Sequence, residues 1–374
     1  MRVRLMRQWI TTALMTGLLG LVAEPRALAD DWLDSRTVPE LNELVSSYYA
    51  AGKTDSALII AKRAVTMARE KHGEQHNLLA ISLNSQASLL YSMGVPIAAR
   101  PLFEEALEIW RTNPPPDSLV LGAARYNLAV ILKDRGDLLR ADQFYRLARK
   151  VLESRLEPND LNLANLIYDQ GEIFQAVENH DSAIAYFQDA LARQEAALPA
   201  YDLRLARTWN NLGISLSEVG RYDEAADAYN RALNALERVL GPDDLEVGYA
   251  IENLASLYVK QGRLKEAERL VVLAQAVFAK KIGPNSLEVA EMTYLHGVIK
   301  HRQDAFDPAE QLYLEAATML EEHHMQDGSP PAVLPKVLTS LKELYQELGA
   351  TRKAEVLQEK IDAMRPEIPM PDFR

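Results

Sequence analysis

Apolar and small residues recur every three or four positions along almost the whole chain after residue 36, and short polar breaks interrupt them at regular intervals. In the stretch from Leu203 to Asp244, one such run precedes Gly220 and a second run follows it. This spacing is typical of amphipathic helices, and a glycine between two runs is a common helix stop. The stretch therefore predicts a hairpin of two antiparallel helices.

The hairpin pattern repeats every 42 residues. Steps of 42 from Ala57 reach alanine six more times, and steps of 42 from Ala64 do the same. The position between the two helices holds glycine in five of seven repeats, with Glu178 and Asp304 as the exceptions. The turns therefore need not all have left-handed caps. Because one hairpin cannot bury both of its faces, each repeat must pack on the next.

The stretch from Leu203 also carries a recognisable signature. Trp209, Leu212, Gly213 and Leu216 form the pattern W-x2-L-G-x2-L, and the second helix continues with A-x3-Y-x2-A from Ala225. This resembles the signature of tetratricopeptide repeats (TPRs). We expect Ala225 to face Gly213, because small residues permit close approach of two helices. Further support comes from Asn-Leu-Ala or Asn-Leu-Gly at 127–129, 211–213 and 253–255, and from Gly-Pro linkers at 241–242 and 283–284.

The 42-residue length resembles that of the kinesin-light-chain type of TPR. The resemblance implies an all-α fold, a right-handed α-α superhelical solenoid of about eight antiparallel helix hairpins. It further implies that the first helix of each hairpin lines a concave groove. The predicted repeats lie near residues 37–77, 78–118, 119–160, 161–202, 203–244, 245–286, 287–331 and 332–365, preceded by a leader at 30–36 and followed by a disordered tail at 366–374.

Helix caps recur in phase with these repeats. Residues of the type that caps helix N-termini stand just before five of the apolar runs, and His76 breaks the series. The seventh repeat carries three extra residues, which we place in a loop from His323 to Pro335. The five predicted caps are Ser118, Asp160, Asp202, Asp244 and Ser286.

Residues 1–29 do not fit the repeat pattern. Three arginines precede an apolar run from Ile10 to Ala23, and Ala27-Leu28-Ala29 resembles a signal-peptidase site. The run is shorter than the roughly 20 residues that span a bilayer. We therefore expect a cleaved signal peptide, a mature protein that begins at Asp30, and a periplasmic or secreted location with no membrane span after cleavage.

Charge and composition narrow the range of partners. The whole chain has a net charge of −12, and residues 1–29 carry four Arg and one Glu, so the mature protein has a net charge of −15. An acidic protein of this kind is a poor candidate for binding nucleic acid. The chain has no cysteine, which excludes disulfides and thiol chemistry.

No motif in the sequence matches a catalytic or metal-binding site. Gly52-Lys53-Thr54 imitates the end of a phosphate-binding loop, but Ser47 stands where the first glycine is required. The adjacent His323 and His324 project to different sides of a helix and are better explained as part of a solvated loop. We therefore expect no enzyme activity, no cofactor and no metal site.

The remaining candidate is a groove that binds a protein or peptide partner. Asn side chains both donate and accept hydrogen bonds, and Tyr rings add contact area with a polar tip. The same Asn residues could instead bond to the neighbouring hairpin, and the sequence leaves both roles open. The candidate groove residues are Asn84, Tyr126, Asn127, Lys133, Tyr168, Asp169, Arg207, Asn210, Asn211, Tyr249, Asn253, Lys260 and Tyr294.

The sequence thus predicts a non-catalytic, exported TPR scaffold for protein–protein interaction. A permanent structural or regulatory subunit of a cell-envelope assembly or enzyme is the alternative, and an unrecognised enzyme is a third hypothesis. Partner, pathway and oligomeric state do not follow from the sequence.

Overall fold

A computed structural model describes residues 30–115, 118–327 and 333–364. These residues form seventeen α-helices and no strand. The predicted signal peptide and the tail at 366–374 lie outside the described residues. The helices are α1 Asp30–Asp34, α2 Val38–Ala50, α3 Thr54–His72, α4 Asn77–Ser92, α5 Pro96–Thr112, α6 Ser118–Asp134, α7 Leu138–Glu153, α8 Leu161–Ala176, α9 His180–Ala197, α10 Leu203–Glu218, α11 Tyr222–Leu240, α12 Leu245–Lys260, α13 Leu264–Ile282, α14 Leu287–Arg302, α15 Phe306–Asp327, α16 Leu334–Glu347 and α17 Thr351–Ala363.

The chain divides into two compact units, which we call unit 1 (residues 1–179) and unit 2 (residues 180–374). After the short α1, even-numbered helices are the first helices of hairpins and odd-numbered helices are the second. Within each unit, from α2 onward, helices that follow one another in the chain pack together. Several neighbouring first helices of the same unit also contact one another. The predicted all-α solenoid of antiparallel hairpins is confirmed.

The alanines that define the period form the centre of each hairpin. They are inaccessible to solvent because small side chains lie where packed helices approach most closely. Each of the following is 0% exposed: Ala57, Ala99, Ala141, Ala183, Ala225, Ala267, Ala309 and, two turns further along the same face, Ala64, Ala106, Ala148, Ala190, Ala232, Ala274 and Ala316.

Gly213 faces a different residue of the second helix from the one expected. The structure places the Tyr229 ring, and not Ala225, closest to it: a Cβ at Gly213 would lie 2.7 Å from Tyr229 Cε1. Gly297 meets Tyr313 in the same way, with a closest distance of 2.7 Å. The missing side chain therefore makes room for an aromatic ring, since any Cβ there would overlap the ring.

Every hairpin turn has the same backbone geometry. The first residue after the turn donates its N–H to the carbonyl five residues earlier, as Arg221 does to Leu216 at 2.9 Å. This bond requires a left-handed residue just before the donor. Glu178 and Asp304 both adopt it, each with φ of 58°, although neither is glycine. The expectation that these two turns could lack left-handed caps is wrong.

Two local predictions also need correction. His76 does not break the capping series, because its Nδ1 accepts a hydrogen bond from the Leu78 N–H at 3.1 Å. The segment predicted as a loop from His323 is helical as far as Asp327, because it contains no glycine or proline to stop α15. The side chains of Asp160, Asp202, Asp244 and Ser286 cap their helices as predicted.

Candidate functional site

All thirteen candidate groove residues lie on first helices. Those in unit 1 lie on α4, α6 and α8, and those in unit 2 on α10, α12 and α14. We call the polar side chains on the first helices of unit 1 the first-helix face of unit 1, and those on the first helices of unit 2 the first-helix face of unit 2. Contacts join α6 to α8 in unit 1, and α10 to α12 and α12 to α14 in unit 2.

A buried charged network lies at the centre of the first-helix face of unit 1. Asp169 is 1% exposed, and its carboxylate accepts hydrogen bonds from the Tyr126 hydroxyl and from Lys133 Nζ, each at 2.7 Å. Lys133 Nζ also donates to Glu172 at 2.5 Å, and the Tyr168 hydroxyl donates to Glu172 at 2.9 Å. Tyr126, Lys133, Tyr168 and Asp169 are therefore brought together, and they join α6 to α8.

Burial and the lysine act in opposite directions on Asp169. Burial raises the pKa of the Asp169 carboxyl, and the Lys133 ammonium opposes that rise. Burial lowers the pKa of Lys133, but Asp169 and Glu172 outweigh it and hold the pKa above its ordinary value. The network thus depends on Lys133 to compensate a buried carboxylate.

Sequence reasoning missed Glu172 as a partner in this network. Lys133 precedes Asp169 by 36 residues and Glu172 by 39. Opposite charges separated by slightly less than one repeat are the signal that could have revealed the pairing, since neighbouring first helices lie side by side.

The two asparagines of unit 1 are not displayed to solvent. Asn127 is only 6% exposed. Asn84 is half-buried, and its Oδ1 is buried without a hydrogen-bond partner. In unit 1, therefore, the candidate Asn side chains contribute to packing between helices.

Polar side chains of unit 2 bond one hairpin to the next. Asn253 Nδ2 donates to Asn210 Oδ1 at 2.9 Å, which ties α12 to α10. Arg207 pairs with Glu246 at 3.0 Å across the same two helices. The alternative role left open by the sequence, bonding between hairpins, is therefore observed for Asn210 and Asn253.

Two more candidates make similar bonds. Lys260 Nζ lies 2.9 Å from a Glu218 carboxylate oxygen, and the Tyr294 hydroxyl lies 3.1 Å from Ser340 Oγ. Asn211 is half-buried on α10. Most candidate residues of unit 2 are thus engaged within the protein.

One part of the first-helix face of unit 2 differs, and we call it the acidic face: Tyr249 and Glu252 on α12, with Glu288 and Glu291 on α14. Tyr249 is 42% exposed, and its hydroxyl donates to Glu288 at 2.9 Å. Within the described ranges, no Lys, Arg or His forms an ion pair with Glu252, Glu288 or Glu291. Among the described residues, the acidic face therefore carries negative charge that no ion pair neutralises.

Among the carboxylates of the acidic face, Glu252 has the most strongly raised pKa. Burial, followed by the charges of Glu291 and Glu288, raises the pKa of Glu252 to about 7. Burial and Glu288 also raise the pKa of Glu291, and exposed Lys336 opposes this only in part. Burial and the bond to Glu288 raise the pKa of Tyr249 to about 12. A cation placed here would relieve the repulsion among the carboxylates.

Metal ligands and membrane spans are not found in the part of the chain that the structure describes. No group of three or more His, Asp or Glu side chains there is arranged to hold a metal ion. His301 instead contacts the Tyr313 hydroxyl at 3.3 Å and Glu347 at 3.1 Å. None of the described helices is both long and apolar enough to cross a bilayer.

RapI and BtubC share this fold, and a third solved structure is similar at a lower TM-score. The apo form of RapI is 12% identical, covers 87% of this chain and 99% of its own length, and gives a TM-score of 0.58. BtubC (BKLC) from P. vanneervenii is 20% identical, covers 63% and 92%, and gives 0.51. Nearly identical repeats of a putative kinesin light chain from Podosopora anserina are 15% identical, cover 66% and 96%, and give 0.31. None of the curated proteins compared matches the chain.

The sequence itself shows the family. The profile of the tetratricopeptide repeat matches residues 39–112, 120–196, 204–271 and 249–322, which is well over half of the chain. These matches fall on the helical hairpins described above, and they confirm the resemblance that the signature around Gly213 predicts. The protein is a member of the tetratricopeptide repeat family.

Proposed function

We propose that the protein is a non-catalytic, exported scaffold that binds a positively charged segment of a partner protein on the acidic face. The observation that carries this proposal is that no described Lys, Arg or His forms an ion pair with Glu252, Glu288 or Glu291, in contrast to Asp169, which Lys133 compensates within the fold. A Lys or Arg of a partner would supply the missing charge.

The geometry of the acidic face supports a specific way of binding. The half-buried position of Glu252 strengthens its interaction with a cation, because the effective dielectric constant falls away from bulk water. Tyr249 offers an exposed ring beside the carboxylates, and aromatic rings attract Lys and Arg side chains by about 0.5–1 kcal/mol at exposed sites. Carboxylates and ring together favour a segment that contains at least one basic residue.

Export is supported by the sequence of residues 1–29 alone. The arginines, the apolar run and Ala27-Leu28-Ala29 have the order of a signal peptide. N-terminal sequencing of protein recovered from its own cells should give Asp30 as the first residue. An intact Met1 on the mature protein would contradict export by this route.

Binding can be tested with a pair of variants of equal net charge. Glu252→Gln/Glu288→Gln/Glu291→Gln neutralises the acidic face. Asp227→Asn/Glu237→Gln/Glu315→Gln neutralises three exposed carboxylates on second helices of the same unit. Wild-type residues 30–374 should retain a partner from its own cells, and the partner should carry a basic segment that is protected from proteolysis in the complex.

We expect the acidic-face variant to bind that partner more than tenfold more weakly, a loss of at least about 1.4 kcal/mol, while the control variant binds normally. Equal binding by the two variants would contradict the proposal. A partner that stays bound in stoichiometric amount through high salt would indicate the permanent-subunit alternative, because contacts dominated by exposed charges weaken with salt.

A further inference from the structure

The ring of Tyr249 is held in place on the acidic face. Its centroid lies 5.1 Å from the ring centroid of Phe278 on α13, and Phe278 is fully buried. The Tyr249 hydroxyl donates to Glu288 Oε1 at 2.9 Å, which fixes the other end of the side chain. Tyr249 is nevertheless 42% exposed. A ring that is fixed by two neighbours and still exposed has surface available to a partner.

Tyr201, also in unit 2, is a close match to Tyr249 in exposure, at 41%. Arg238 lies over the Tyr201 ring, with its guanidinium carbon 4.3 Å from the ring centroid. Among the described residues, no Lys or Arg lies over the Tyr249 ring in this way. The two tyrosines therefore differ in that the chain supplies a cation to Tyr201 and supplies none to Tyr249.

A site in unit 2 shows how a tyrosine and a carboxylate together hold a lysine. The Tyr345 hydroxyl donates to Glu310 Oε1 at 2.6 Å, as Tyr249 donates to Glu288. Lys353 Nζ lies 4.5 Å from the Tyr345 ring centroid and donates to the same Glu310 oxygen at 2.9 Å. Tyr249 and Glu288 thus form a pair that, elsewhere in the same unit, is completed by a cation.

A second site in unit 2 holds an arginine and makes more contacts. The guanidinium carbon of Arg263 lies 3.9 Å from the Tyr258 ring centroid. Its Nε and Nη2 donate to the two carboxylate oxygens of Glu266, at 3.1 and 2.5 Å. A planar guanidinium can stack on a ring and present donors in its own plane at the same time. Arg263 therefore gains a closer ring contact than Lys353 does, and one more hydrogen bond to a carboxylate.

The acidic face places three carboxylates around one ring. Burial and the hydrogen bond to Glu288 raise the pKa of Tyr249, and the charges of Glu288, Glu252 and Glu291 raise it further. Tyr258 and Tyr345 each share their cation with one carboxylate, Glu266 or Glu310. A guanidinium has five N–H donors and an ammonium has three, so the larger number of acceptors on the acidic face favours arginine.

We infer that the acidic face selects arginine over lysine, with the guanidinium stacked on the Tyr249 ring and its N–H groups bonded to the surrounding carboxylates. The selection rests on the proposed function, because it names the basic residue that the acidic face binds. Tyr249 sets the preference, whereas the three carboxylates attract either cation.

Two labelled peptides of equal charge test this selection by fluorescence anisotropy. Each has twelve residues and alternates serine with either arginine or lysine. Wild-type protein should bind the arginine peptide about fivefold more tightly than the lysine peptide. Tyr249→Leu should remove most of this preference, and Tyr249→Phe, which keeps the ring, should retain it. Tyr201→Leu is the matched control and should leave both affinities unchanged, because Arg238 already covers that ring.

Nuclear magnetic resonance reports the stacking itself in the wild-type complex. The δ-methylene protons of an isotope-labelled arginine in the peptide should shift upfield, because they lie above an aromatic ring. The shift should disappear with Tyr249→Leu and persist with Tyr201→Leu. Equal affinity of wild type for the two peptides, or a preference and an upfield shift that survive Tyr249→Leu, would overturn the selection and leave the proposed function standing. Binding of neither peptide would contradict both.

Discussion

The first-helix faces of units 1 and 2 share one repeat pattern but treat their carboxylates differently. In unit 1, Lys133 contacts both Asp169 and Glu172. In unit 2, Glu252, Glu288 and Glu291 occupy other positions of the repeat, and the unit 1 equivalents of Glu288 and Glu291 are Asn162 and Asn165. Among the described residues, no Lys, Arg or His forms an ion pair with Glu252.

The difference shows how the same repeat architecture can form a structural surface in one unit and a candidate binding surface in the other. A lysine at the inter-hairpin position satisfies the neighbouring carboxylates within the protein and makes the surface part of the core. In unit 2, no described cation pairs with the three carboxylates of the acidic face, so they remain available to a group outside the chain. Whether an adjacent hairpin supplies a cation therefore separates a structural surface from a candidate binding surface.

The largest expected effect is the loss of the lysine in unit 1. Lys133→Met leaves Asp169 buried without its cation, which should lower the free energy of unfolding by about 3–5 kcal/mol. The matched control in unit 2 is Lys260→Met, because Lys260 and Glu218 are 41% and 48% exposed. Exposed pairs contribute only about 0–1 kcal/mol.

Urea unfolding followed by circular dichroism measures both changes. If Lys133→Met and Lys260→Met destabilised the protein equally, the distinction between a buried network and an exposed pair would be contradicted. Lys133→Met/Asp169→Asn should recover part of the lost stability, because the double substitution removes the uncompensated charge.

A smaller effect is expected from pH in unit 2. The folded-state pKa of Glu252 is about 7, above the ordinary value of 4.5, so the folded state holds this proton more tightly than the unfolded state. Stability should therefore decrease as pH rises from about 5 to 8, as Glu252 ionises among Glu288 and Glu291. Glu252→Gln should raise the free energy of unfolding at pH 8 by about 1–3 kcal/mol.

Glu252→Gln should also flatten the pH dependence of the melting temperature. The control is Glu246→Gln, since Glu246 is paired with Arg207 and its loss should not stabilise the protein. If Glu252→Gln left stability at pH 8 unchanged or lowered it, the repulsion among the acidic-face carboxylates would be disproved.

The smallest effect concerns the two non-glycine turns, one in each unit. Glu178→Gly removes the strain of a non-glycine residue in the left-handed backbone conformation. Asp304→Gly removes less strain, because aspartate tolerates that conformation better than glutamate does. We expect a stabilisation of about 0.5–1 kcal/mol for Glu178→Gly and less for Asp304→Gly. Glu178→Ala is the control and should not stabilise, because alanine is also strained at positive φ. A gain for alanine equal to that for glycine would exclude backbone strain as the cause.

Much of the fold was predictable because its causes are local and periodic. The alanine series fixed the number and length of the hairpins, and Gly220 and its equivalents marked the turns. The left-handed Glu178 was not predictable in the same way, because a common turn geometry imposed a conformation that the residue type disfavours. The helical continuation to Asp327 was missed because a longer repeat was assumed to mean a longer loop.

The candidate site was predictable in position but not in role. Placing Asn210 and Asn253 on first helices follows from the repeat phase, but their mutual hydrogen bond depends on side-chain direction between hairpins. The residues around Glu252 in the sequence do not reveal that it has no ion pair among the described residues. That depends on whether the neighbouring hairpins place a cation beside it.

The central claim is that the acidic face binds a positively charged segment, and peptide titration tests it most directly. The probes are two labelled twelve-residue peptides that alternate serine with either lysine or glutamate, measured by fluorescence anisotropy. Wild-type protein should bind the lysine probe and not the glutamate probe. Glu252→Gln/Glu288→Gln/Glu291→Gln should lose more than tenfold in affinity, whereas Asp227→Asn/Glu237→Gln/Glu315→Gln should lose little. Equal weakening of the two variants relative to wild type would show that only net charge matters and would contradict the claim, as would equal affinity of all three proteins for the lysine probe.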